Sequence, residues 1–220
     1  MPVMRARLGD DSGFTLVELL AAMVVGMIVM FAIFGLLDTA VRLQAKSVDG
    51  LETTDRGRIG IDQISQGFAS RICVGDVPSL VEAADDHVEF YASLAPESSA
   101  VRLIVQRRRV ALSGTSIREQ VWTSSPPLPA PNLPPATTTP AARTRQIVAG
   151  VHATGMTPIF RFYAKDGVTG LPTVALATPL SSSDLRRAVL IDVSFTAQGK
   201  RADISTIYTN QVLNRSSTCV

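Results

Sequence analysis

Glu18 is the single charged side chain in a run of 24 residues from Phe14 to Leu37. A bare carboxylate at membrane depth costs about 2.5–3.5 kcal/mol at the centre of a helix, and less near an end. Glu18 therefore calls for either an interfacial position, where it reaches the headgroups, or a cationic partner. Gly13 stands just ahead of the run. If the chain is cut after Gly13, Phe14 carries a free amine one helical turn from Glu18. The two charges could then neutralise each other, within one subunit or between neighbours in an assembly. A buried ion tolerates low dielectric only when paired, so an unpaired Glu18 would act as a docking signal.

The element that must position this carboxylate is a helix. At about 1.5 Å per residue the run from Phe14 to Leu37 is roughly 36 Å long, enough to cross a hydrocarbon core of about 30 Å with some tilt. It is longer than the apolar region of a secretory signal. No A-x-A-like site follows it, and Asp38 opens a polar, helix-compatible stretch. The segment is expected to stay with the protein. Arg5 and Arg7 in the preceding residues suit a cytoplasmic leader. Asp10 and Asp11 sit immediately before the expected cut.

The totals limit the function classes. The chain has 220 residues, 46% of them hydrophobic, and a formal net charge of +2. That length allows one sizeable domain plus an extra segment. The near-neutral charge points to no nucleic acid or acidic partner. No Walker loop, G-x-S-x-G, dinucleotide glycine pattern or H-E-x-x-H occurs. His87 and His152 lack Cys, Asp or second His partners at ligand spacing, and Asp85-Asp86 reads as a solvated turn. The expectation is no catalytic residue, no metal and no cofactor. Arg107-Arg108-Arg109 lacks interleaved aromatics, and in a strand its middle member faces opposite its neighbours. No nucleic-acid contact is expected from it.

The residues Gly13-Phe14-Thr15-Leu16-Val17-Glu18-Leu19-Leu20, followed by an apolar helix, closely resemble the class III signal of type IV prepilins and type II secretion pseudopilins. The resemblance implies a membrane prepilin peptidase that cuts after Gly13 and methylates Phe14, with Glu18 as the assembly carboxylate. It implies other pilin or pseudopilin subunits, an inner-membrane assembly platform and membrane lipid as partners. The family's departure points are Asp10 and Asp11, where basic or neutral residues are usual, and a helix whose only weak points are Gly26 and Gly35, with no proline.

Beyond the membrane, Val41, Val48, Leu51, Ile61, Ile64, Phe68 and Ile72 recur at helical steps and predict a stripe that covers a sheet. Gly57 and Gly60 predict a kink or break. The chain thus divides into a leader, 1–13; a transmembrane and assembly helix, 14–37; an amphipathic continuation, 38–72; and an extracytoplasmic β-rich head, 73–220. Alternating segments at 87–91, 101–105, 116–122, 159–163, 188–196 and 202–208 predict strands, with a hairpin turn at Gln198 to Lys200 and a second turn at Lys165 to Gly167. The fold class is α+β: a long N-terminal spine helix packed on an antiparallel sheet, pilin-like. Residues 125–141 hold seven of the chain's 13 prolines and predict an extended surface loop.

The chain has two cysteines, Cys73 and Cys219. If the final strand leads the tail back over the spine helix, the two could meet, and an extracytoplasmic head would let the bond persist. The order of elements resembles the larger minor subunits, the J-type pseudopilins and related minor pilins. That resemblance implies a minor subunit assembled into, or at the tip of, a helical filament, anchored by a single pass in the inner membrane with its head outside. The competing expectation is a single-pass anchored extracellular binding protein that enters no filament. An anchored enzyme is a further alternative, and no constellation for it is found.

Overall fold

The structure is a computed structural model that describes residues 15–74, 77–94, 104–123, 139–155, 157–200 and 204–213. The chain forms two compact units, one ending at Ser47 and the other starting at Val48. The first is helical from Leu16 on, with every described side chain exposed. It belongs to α1, Leu16–Ala69, whose most apolar window has a mean hydropathy of 2.7 and is long enough to cross a membrane. Leu, Ala and Met favour the helix, and no proline interrupts it.

The second unit packs the later turns of α1 on two antiparallel sheets. The first sheet is a meander of β1 (Leu80–Ala83), β2 (His87–Leu94), β3 (Ile104–Ser113), β4 (Ser116–Thr123) and β5 (Arg143–Ala149), in that order. After β5 the chain passes through Gly150, at a φ of 68°, into β6 (Val151–His152), which pairs with the second sheet. Only glycine takes this left-handed conformation without strain, and a Cβ here would also press on the Gln198 carbonyl. The second sheet follows with β7 (Phe160–Ala164), β8 (Val174–Leu176), a short α2 (Ser182–Arg187), β9 (Ala188–Gln198) and β10 (Ser205–Leu213). Its order is β10-β9-β7-β8, with β6 on the β7 side of β9. The architecture is α+β and pilin-like.

Four of the expected strands coincide with β2, β4, β7 and β9, within a few residues at each end, and the strand expected at 202–208 overlaps β10, which runs on to Leu213; residues 202–203 lie outside those described. The expected strand at 101–105 is the start of β3, which runs on to Ser113; residues 101–103 lie outside those described. The β9–β10 turn falls where expected, closed by Gly199 N–H donating to the Ile204 carbonyl at 2.8 Å. The strands β1, β5, β6 and β8 were not anticipated. Most of the Pro-rich stretch lies outside the described residues, although the Thr139 carbonyl at its end accepts from Trp122 Nε1 at 2.8 Å.

The helix corrects two expectations. It runs unbroken through Gly57 and Gly60. A Cβ on Gly57 would overlap the Tyr208 ring, and one on Gly60 would overlap Val148. These glycines serve close approach of helix and sheet, and the helix does not break at them. The covered face is also different from the predicted stripe. Ile61, Ile64 and Phe68 are buried as expected, but Val41, Val48 and Leu51 are exposed. Asp49, Thr53, Gly57 and Gly60 take the sheet-facing positions below Ile61. Small and polar residues meet the sheet where the backbones come closest, so hydrophobic periodicity alone pointed to the wrong face there.

Phe68 closes the core. Its ring meets Phe90 of β2 edge-on at 5.2 Å between centroids and Phe160 of β7 at 6.2 Å, so one side chain ties the helix to both sheets.

Candidate functional site

Glu18 lies in the first turn of α1, and its carboxylate is held by the residue that caps the helix. Thr15 precedes the first helical residue. Its backbone N–H and its hydroxyl each donate to Glu18 Oε2 at 3.0 Å, and the Glu18 N–H donates back to Thr15 Oγ1 at 3.3 Å. This reciprocal arrangement is a capping box: two orphan donors at the helix start are satisfied, and the acidic group sits at the positive end of the helix dipole. Among the described residues only Glu18 Oε2 is held by the cap, and Oε1 has no hydrogen-bond partner there. The geometry can therefore present a pre-oriented anion to an ammonium group.

The role of Thr15 was missed in reading the sequence, although the signal was present. A threonine followed three residues later by glutamate, just before an apolar run, is the capping-box pattern. Gly13 and Phe14, the expected cleavage and methylation residues, lie outside the described residues.

The remaining sequence candidates are spread through the second unit. His87 has Nδ1 at 2.8 Å from Asp86 Oδ1 and Nε2 at 3.3 Å from Glu82 Oε1. Among the described residues no group of three or more His, Cys, Asp or Glu side chains is arranged to hold a metal ion. The three consecutive arginines are divided between the two faces of the first sheet. Arg107 pairs with buried Glu89, whereas Arg108 reaches Gln106 at 2.8 Å and Glu119 at 3.4 Å. Cys73 is disulfide-bonded. Cys219 lies outside the described residues.

One buried cation was also not anticipated. Arg71, just past the end of α1, is 7% exposed, and its Nε and Nη1 have no hydrogen-bond partner. Its guanidinium lies over the Phe68 ring at 5.3 Å, and burial pushes its pKa down to about 10. A pocket of about 190 Å³ beside β7 and β8 includes Asp85, Arg161, Tyr163 and Thr178 in its lining, without a nucleophile–base pair.

An apolar helix with a capped carboxylate in its first turn, leading into a sheet-rich unit, is a pilin-like architecture. Residues 9–34 match the family model described as the prokaryotic N-terminal methylation motif, so the chain carries the prepilin-type signature. The match supports a type IV pilin or pseudopilin precursor, and the apolar helix is consistent with a single-pass inner-membrane anchor. A comparison with curated proteins finds no match.

Proposed function

We propose that this chain is a minor subunit of a type IV pilus or a type II secretion pseudopilus. Its work is assembly rather than catalysis. The chain inserts with its leader in the cytoplasm and its head outside, prepilin peptidase cuts after Gly13, and Phe14 is methylated. The α1 helix then packs laterally among other pilin or pseudopilin helices, drawn from the bilayer by the assembly platform. Glu18 meets the amine of a neighbouring subunit, and the sheet-rich head takes a place in the filament or at its tip.

The observation that carries this reading is the methylation-motif match over residues 9–34. The capping box supports it, because a carboxylate fixed by Thr15 is ready for an ammonium partner.

Mass spectrometry of the membrane-extracted protein, with and without its prepilin peptidase, tests the reading. The expected result is a mature chain starting at N-methylated Phe14 that disappears when the peptidase is absent. A chain that keeps residues 1–13 in both strains would sink it and leave a signal-anchored extracellular binding head.

A further inference from the structure

Within the second unit the contacts of α1 change character along its length. From Gly60 on, apolar packing holds the helix: Ile61, Ile64 and Phe68 are buried, and Phe68 reaches both sheets. From Asp49 to Gly57 no apolar side chain of the helix is buried. Asp49, Thr53 and Gly57 take the covered positions there.

The described contacts of this stretch are largely polar and come from the β9–β10 hairpin. At the turn, Lys200 N–H donates to Asp49 Oδ1 at 3.1 Å, and Lys200 Nζ lies 3.0 Å from Glu52 Oε2. Gly199 comes so close that a Cβ on it would stand 2.9 Å from Thr53 Oγ1 and 3.0 Å from Asp49 Oδ2. Farther along β10, the Tyr208 hydroxyl donates to the Thr54 carbonyl at 2.9 Å, with the Thr53 carbonyl at 3.4 Å.

The same stretch is a poor helix by itself. Gly50 and Gly57 weaken it, and threonine is among the weaker helix formers. Thr53 and Thr54 turn their hydroxyls back onto the Asp49 and Gly50 carbonyls at 2.7 and 2.9 Å, bonds that slightly destabilise a helix. Hydrogen bonds exchanged against water contribute less than buried side chains the size of isoleucine or phenylalanine, and an exposed ion pair contributes least. Residues 49–57 thus have the lower opening free energy of the two stretches.

We infer that the β9–β10 turn is a strap that keeps residues 49–57 helical, and that its release melts this stretch while Gly60–Phe68 stay packed. The device is an extension joint built into α1. Each residue that leaves the helix gains reach, from about 1.5 Å to about 3.3 Å. Tension along α1 is taken up here before the core is disturbed. The inference concerns the second unit alone and holds whether or not the chain enters a filament.

Hydrogen–deuterium exchange on the purified full chain in detergent, resolved to the amides of 51–57 and of 61–68, tests it. The first set should exchange at least tenfold faster than the second. Tyr208→Phe removes the hydroxyl and keeps the ring; it should speed 51–57 by about threefold and leave 61–68 unchanged. Asp49→Ala should speed 51–57 at least tenfold, again without moving 61–68. Gly50→Ala adds a methyl that meets nothing within 4 Å, so it should slow 51–57 about fivefold through helix propensity alone. Tyr208→Phe and Gly50→Ala decide the matter if Asp49→Ala does not fold. Equal protection of the two sets overturns the inference, as do folded variants that leave 51–57 unchanged or shift both sets together.

Discussion

Gly60 of α1 lies so close to Val148 of β5 that a methyl group on the glycine would overlap the valine side chain. This contact sets how deeply the helix beds into the first sheet. In an exposed helix, Gly→Ala gains about 1 kcal/mol. Here the overlap costs more, about 1–3 kcal/mol for overpacking, so Gly60→Ala should lower the denaturation midpoint. Val148→Ala in the same background should recover most of the loss. A stabilising Gly60→Ala would show that the two backbones move apart freely.

Glu89 gives the head a pH dependence of definite sign. It is fully buried, one carboxylate oxygen lacks a partner, and burial raises its pKa above the ordinary 4.5 despite the nearby Arg107. The folded state therefore holds this proton to higher pH than the unfolded state does. The contribution is fully present below about pH 4.5 and lost as pH rises through the raised value. Denaturation across that window should show a term that disappears in Glu89→Gln. An unchanged pH profile in the variant would assign the dependence elsewhere.

Arg71 pays a desolvation cost without a carboxylate among its described contacts. Replacing buried ionic groups by apolar ones of similar size is often neutral or stabilising. Arg71→Met should therefore raise or preserve the urea midpoint, with the Phe68 ring still covered. A loss above roughly 3 kcal/mol, the scale of breaking a buried pair, would reveal an anionic partner.

The second half-cystine of the Cys73 bond is predicted to be Cys219. Non-reducing peptide mapping should recover the two peptides joined, and reduction should separate them. Closing so long a loop stabilises by about 5 kcal/mol in the chain-entropy model, an upper figure, so reduction should lower the thermal midpoint markedly. Recovery of a Cys73–Cys73 dimer would refute the intrachain pairing.

Under the proposed function, variants of Thr15 and Glu18 should separate processing from assembly. Glu18→Ala should leave cleavage after Gly13 intact and abolish recovery of the chain in sheared filaments. Thr15→Ala, which removes an N-cap worth about 1 kcal/mol, should reduce that recovery partially, and Thr15→Ser should restore it. Equal incorporation of all variants would remove the carboxylate from the assembly mechanism.

Much of this was legible in the sequence because its signals are local. The apolar run around Glu18, the alternation in β2, β4 and β9, and the β9–β10 turn each fall within a short window. What escaped depends on distant neighbours. Gly57 and Gly60 read as weak points until Tyr208 and Val148, far along the chain, are seen against them. Asp49 lies outside the predicted apolar stripe, yet it is buried and accepts from Lys200 N–H at 3.1 Å. Short strands such as β6 and β8 hold too few residues to show a period. The Thr15–Glu18 cap, by contrast, is written locally, as a threonine three residues ahead of a glutamate.

The passage of the chain through Gly150 makes the two sheets interdependent. Because β5 and β6 are one stretch of backbone sewn first to β4 and then to β9, neither sheet can come apart without dragging on the other. Substituting this single residue should thus be felt across the whole head, and amide protons deep in β4 and β9 should exchange together rather than sheet by sheet.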